Sequence, residues 1–157
     1  MPERSLMVRP WSELTTRELY SILKLRTDVF LVEQRVDETE LDFRDLEPAT
    51  QHVWIADDQG AAAYLRVLVD PVPEHRDAHL VVGRVVVRAD RRGEGLARDL
   101  LDEVIRRHGR LAMMLHAQVA VRGVYERFGF AAFGEAYDEA GIQHISMYRP
   151  ADSTLPR

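Results

Sequence analysis

Arg92-Gly93-Glu94-Gly95-Leu96-Ala97 stands between a valine run, Val85-Val86-Val87, and a segment with helical apolar spacing. Strand, glycine turn and helix start, in that order, make a cradle for an anion. The first N–H groups of a helix have no partner within it, and the aligned peptide dipoles place partial positive charge at that end. Phosphate is a common occupant. Gly93 and Gly95 remove the side chains that would hold a diphosphate off the backbone, and they adopt dihedrals that other residues avoid. Arg91, Arg92 and Arg98 add positive charge at the same turn.

The chemistry narrows by exclusion. A glycine turn is also an ordinary strand-to-helix connection when nothing else supports a ligand. A dinucleotide fingerprint needs a third glycine where Arg98 stands and an acidic residue where Met113 and Met114 occur. A nucleotide triphosphatase loop, G-x-x-x-x-G-K-[ST], is absent.

Arg92-x-x-Gly95-x-Ala97 after a valine strand resembles the diphosphate-binding motif of the Gcn5-related N-acetyltransferase (GNAT) superfamily. Val124-Tyr125-Glu126-Arg127-Phe128-Gly129-Phe130 is similar to that family's later Tyr-x-x-x-Gly-Phe segment. Further stretches look like its ElaA-like branch: Arg26-x-x-Val29-Phe30-x-Val32-Glu33-Gln34, Glu40-Leu41-Asp42, Gln51-His52, Gly83-Arg84-Val85, Ala117-Gln118 and Gly141-Ile142-x-His144-Ile145-x-Met147. The resemblance runs from residue 6 to 149 and departs at Arg35-Val36-Asp37 and at the glycine-poor turn Asp42-Phe43-Arg44-Asp45.

The resemblance implies an α+β fold, one mostly antiparallel central sheet flanked by helices, with short tails at 1–5 and 150–157. It implies acetyl-CoA as acyl donor, a small amine or peptide amine as acceptor, and direct transfer in a ternary complex, where positioning is the main catalytic task. Backbone amides of Val85, Val86 and Val87 would grip the pantetheine arm, and one would polarise the thioester carbonyl. Gly93, Glu94, Gly95, Leu96, Ala97 and Arg98, after Arg92, would supply the diphosphate site, and Gln118 would contact the cofactor. Tyr125 would be the general acid to the departing thiolate, its ordinary pKa of about 10 keeping it protonated. Glu33 is the candidate base, since a carboxylate near an apolar wall can have its pKa raised.

Each residue has a plainer role available. Tyr125 beside Val121, Val124 and Phe128 also reads as helix core, and Glu33 as a hydrogen bonder at a helix end. His52 and His144 titrate in the right range for a base but equally satisfy backbone groups near strands. Arg84 beside the valine run either attracts an acceptor carboxylate or pairs with the Glu38–Asp42 stretch. Trp11 and Trp54 read as core or pocket walls, and Glu135–Glu139 as a solvated hairpin tip. His75, His79, His108 and His116 lack ligand spacing, so no metal is expected.

Composition sets bounds that agree with what the resemblance implies. The 157 residues, 46% hydrophobic, suit one domain with one core. A net charge of −5 argues against broad attraction to nucleic acid or anionic membranes. With no cysteine, disulfides, thiolate metal sites and a cysteine acyl-enzyme are all excluded. No apolar run approaches a membrane span, and Met1-Pro2-Glu3-Arg4 lacks a signal sequence's hydrophobic region, so a cytoplasmic location is expected. The oligomeric state, homodimer included, stays open, as does the alternative of a non-catalytic acyl-CoA binding or sensing module.

The elements that must position these groups follow from periodicity. Strands are expected at 6–11, 52–56, 61–69, 80–87 and 111–115, with a closing hairpin of 130–137 and 142–148. A helix capped by Thr15 and Glu18 should carry Leu19, Ile22, Leu23, Arg26 and Phe30 on one face, before an acidic, irregular stretch from 33 to 50. A second helix follows the glycine turn with Leu96, Leu100, Leu101, Val104 and Ile105 inward, and a third spans 119–128 and stops at Gly129. Ala151–Arg157 reads as a loose tail.

Overall fold

The computed structural model describes residues 5–157; the Met1–Arg4 segment and its expected lack of a signal sequence lie outside them. The element order is β1 (Ser5–Arg9), α1 (Thr16–Arg26), β2 (Gln51–Asp57), β3 (Gly60–Val69), β4 (Leu80–Val87), α2 (Leu96–His108), β5 (Met113–Gln118), α3 (Arg122–Glu126), β6 (Ala131–Glu139) and β7 (Ile142–Arg149). Seven strands form one sheet in the order β1-β2-β3-β4-β5-β7-β6. Pairs β1/β2, β2/β3, β5/β7 and β6/β7 are antiparallel, whereas β4 and β5 run parallel over Leu80–Val82 and Met113–Leu115. This is the α+β, mostly antiparallel architecture that the motifs imply.

By compactness the chain divides into two units, one of residues 1–67 with 84–100 and the other of 68–83 with 101–157. In the first, Ile22, Leu25 and Val29 pack with Trp54, Ala61, Tyr64 and Val86. Thr15 and Glu18 form the expected reciprocal cap of α1, and the chain then changes to a wider π-helical turn over Thr27–Glu33. That turn closes with Gln34 N–H donating to Val29 C=O at 2.8 Å. Turns of this kind inside helices are often found beside functional groups. Beyond it the chain is irregular to Thr50 except for a 3-10 turn at Arg44–Leu46.

In the second unit Ala78, Ala112 and Met114 form a small cluster with Val81, Phe133 and Tyr148. Three expectations need correction here. The strand expected at 111–115 is Met113–Gln118, because Gly109 and Arg110 follow α2 in a turn that leaves Leu111 exposed. The helix expected at 119–128 is a 3-10 turn, Val119–Val121, followed by the five-residue α3. Branched Val119 and Val121 with Gly123 are poor helix formers. The terminal segment is not loose. Asp152 N–H donates to Gly109 C=O at 2.9 Å, and Arg110 donates to the carbonyls of Ser153 and Leu155. A Cβ on Gly109 would meet the Ile105 carbonyl oxygen and Leu155 Cδ1, each at 2.5 Å; the backbone oxygen is the one that cannot give way, so glycine is needed where α2 ends.

Candidate active site

The glycine turn has the backbone its sequence requires. β4 ends at Val87, a 3-10 turn covers Ala89–Arg91, and α2 begins at Leu96 directly after Gly95. Gly93 has φ +83° and Gly95 φ +79°, both in the left-handed region. A Cβ on Gly93 would meet nothing within 4 Å, so its need is conformational and its surface is open. At Gly95 the nearest atoms are those of the Arg98 guanidinium, 3.4 Å from the Cβ position. The helical bond from Asp99 N–H to Gly95 C=O, 3.1 Å, leaves the amides of Leu96, Ala97 and Arg98 ahead of the first full turn. Open glycine surface, left-handed dihedrals and leading helix amides fit a diphosphate.

Charge around the turn is arranged differently from the expectation of three available arginines. Asp57, at the end of β2, accepts from Arg88 Nη2 at 2.5 Å and from Arg91 Nη1 at 2.6 Å, and Arg91 Nε also reaches Glu94 at 2.8 Å. Arg88 holds the Asp57 carboxyl at about 2. Arg91 is therefore a brace of the turn. Arg92 pairs bidentately with Glu33, both contacts 2.8 Å, and its Nε donates to Val87 C=O at 3.2 Å. Arg98 has no ion-pair partner among the described residues. The structure thus joins two candidates from separate motifs, Glu33 and Arg92. That pairing holds the exposed Glu33 carboxyl below the usual range rather than raising it.

The irregular stretch after α1 is held by a charge network that sequence reading missed. Arg26, fully buried, donates to Glu40 Oε1 at 2.7 Å and Asp45 Oδ1 at 2.8 Å. Arg66 of β3 donates to Asp42 at 2.6 and 2.9 Å and to Asp45 at 3.0 Å. Arg84 of β4 lies 3.1 Å from Glu40 Oε2 and 3.6 Å from Asp42 Oδ2, so of its two sequence readings the structure bears out the pairing. Burial pushes the Asp42 carboxyl up, but Arg66 outweighs it and holds it at about 2. Asp45 is likewise held down, with Arg26 and Arg66 overcoming its burial. A signal was available: Arg26 interrupts an apolar helix face, and Arg66 an apolar strand. His52 belongs to this packing. Its two ring nitrogens meet the Tyr64 hydroxyl at 2.7 Å and Asp45 C=O at 2.9 Å, and burial lowers its pKa, a structural histidine without a free nitrogen.

In the second unit, Tyr125 is buried in α3, its ring edge-on to Phe130 with centroids 6.3 Å apart. The Tyr-x-x-x-Gly-Phe segment folds on itself: Tyr125 C=O accepts from Phe128 N–H at 2.9 Å and Phe130 N–H at 3.3 Å, around Gly129 at φ +90°. Burial pushes the Tyr125 phenol up to about 12. Gln118 ends β5 and is half-buried. His144 Nδ1 lies 2.8 Å from Ile142 C=O and its ring stacks on Tyr137, a backbone-satisfying histidine. Among the described residues no group of three possible ligands is placed to hold a metal ion, and no helix is long and apolar enough to cross a membrane.

Comparison with known proteins agrees with this fold. A family model described as "Acetyltransferase (GNAT) domain" matches residues 28–149. The crystal structure of an acyl-CoA N-acyltransferase from Pseudomonas aeruginosa superposes with a TM-score of 0.82 at 38% identity, covering 94% of this chain and 99% of that one. The chain therefore belongs to the GNAT acetyltransferase family. Within the family it falls in the ElaA-like branch. Escherichia coli ElaA is 33% identical over 147 residues, 88% of this chain and 91% of that one, and its crystal structure gives a TM-score of 0.82. A UPF0039 protein of Mycobacterium tuberculosis is 34% identical over 152 residues, 95% of this chain and 96% of that one.

Proposed function

We propose that this chain moves an acetyl group from acetyl-CoA to a primary amine by direct transfer while both are bound. Family membership supports acyl transfer in general. The observation that carries the reading is the pair of left-handed glycines, 93 and 95, opening straight into the first turn of α2. Amides of residues 93–98 hold the donor's diphosphate, and the backbone of Val85–Val87 grips its arm. The donor brings an activated thioester, so the chain's part is to orient, to polarise one carbonyl and to manage protons. Tyr125 keeps its proton at neutral pH and gives it to the leaving sulfur.

Glu33 serves as base in this reading only after Arg92 leaves it. A bound diphosphate competes for the Arg92 guanidinium and frees the carboxylate. Glu33→Gln should therefore bind acetyl-CoA about threefold more tightly, the scale of an exposed ion pair. It should also lose the acid limb of the kcat–pH profile. Isothermal titration and a pH series check both, and unchanged affinity with an unchanged profile would reduce Glu33 to a surface brace.

The second reading, an acyl-CoA sensor without turnover, draws on the same pair, because the candidate base is neutralised. Incubation with acetyl-CoA and an amine panel, with free thiol monitored, separates the two. Thiol release with at least one amine supports transfer; donor binding without release by any amine supports the sensor. Saturating acetyl-CoA at a hundred times its Kd should add about 2.7 kcal/mol of stability. Gly95→Glu should abolish that shift, since it puts a carboxylate and a strained left-handed residue in the cradle.

A further inference from the structure

We propose that Arg84 is a positioning residue that locks the acidic segment 39–42 to the gripping part of β4, so that the backbone holding the thioester arm keeps its direction. This rests on the reading of Val85–Val87 as the strand that holds the thioester arm.

Among the described residues Arg84 is the one non-glycine inside a strand with a left-handed backbone, φ +53°. The conformation is unfavourable for an L side chain, and strain of this sort persists only where surroundings impose it. Gly83 stands next door, outside the left-handed set, with open space at its Cβ position. The chain has a glycine at hand and bends at the arginine instead.

The guanidinium supplies what imposes the bend. Arg84 Nη2 donates to Glu40 C=O at 3.2 Å and to Thr39 C=O at 3.4 Å, while Nε is buried beside Glu40 Oε2 outside hydrogen-bonding geometry. Its partners cannot follow it freely. Glu40 is fixed by Arg26, Asp42 by Arg66, and both arginines share Asp45. The parallel ladder of β4 with β5 ends at Val82, two residues before the bend. Past that point β4 keeps β3 as its sheet neighbour and Val86 in the core, and the Arg84 side chain adds a tie to the acidic segment.

The test uses the full chain with Arg84→Gly, which tolerates the dihedral and removes the lock, and Arg84→Lys, which keeps the charge without the fork. Arg84→Gly should lower kcat at least tenfold while the acetyl-CoA KM stays within about twofold, and Arg84→Lys should shift kcat the same way by a smaller factor. Hydrogen exchange should accelerate at least tenfold in both 39–42 and 85–87. Faster exchange in 39–42 alone, with kcat and the 85–87 amides at wild-type values, would make Arg84 a loop tether and overturn the proposal. If the wild type releases no thiol with any amine, acyl transfer fails as a reading, and exchange alone decides: joint loosening upholds the lock, loosening of one segment sinks it.

Discussion

Asp45→Ala should cost about 3–5 kcal/mol, because it leaves three arginines, Arg26, Arg66 and Arg84, facing two carboxylates, Glu40 and Asp42, in a largely buried network. Asp45 accepts from Arg26 and Arg66 together, and its carbonyl meets His52, so one truncation loosens α1, β3 and the segment between them. At 2–4 °C per kcal/mol for a domain this size, Tm should fall on the order of 10 °C. Calorimetry measures it, and a fall below about 2 °C would show that the network relaxes around the loss.

The same network fixes the sign of the pH dependence. Asp42 and Asp45 have folded pKa values below their unfolded ones, so their contribution is full above about pH 4 and is lost as pH falls through the folded values, about 2 for Asp42. His52, neutral and buried, also has a lowered folded pKa. Its contribution is full above about 6.5 and declines as pH drops through the folded value. Urea midpoints taken from pH 8 to pH 3 should fall in both windows, and neither loss should appear on the alkaline side.

Tyr125→Phe should lower kcat about a hundredfold, the low end for loss of a positioned general acid. The acetyl-CoA KM should stay within about twofold and Tm within about 2 °C, since the ring packing against Phe130 survives. Because burial lifts the phenol to about 12, the wild-type profile should carry no downward limb from this group across the range up to about pH 10. Equal thiol release by both proteins would return Tyr125 to the core.

Much of this was legible in residue order. The cap of α1, the turn at Gly93 and Gly95 and the stop at Gly129 are local devices, each written in a few adjacent residues, and each appears where its residues stand. Val86 and the inward face of α2, Leu96, Leu100, Leu101 and Val104, are buried as their spacing requires. What escaped depends on distant partners. Arg92 looks like free positive charge until Glu33, 59 residues away, is brought against it. Arg26 and Arg66 look like breaks in apolar faces until Asp42 and Asp45 arrive between them. The docking of residues 152–155 runs through the Gly109 carbonyl and the Arg110 guanidinium, far earlier in the chain, which spacing rules do not register.

That docking bears on the order in which the chain matures during synthesis. Arg110 cannot meet Leu155 until 45 further residues have been added, and the Gly109 carbonyl waits as long for Asp152. The end of α2 is thus completed only by residues 152–155, made well after α2 itself. A nascent chain stalled before residue 152 should remain sensitive to protease at residues 108–111, however well its earlier strands have paired.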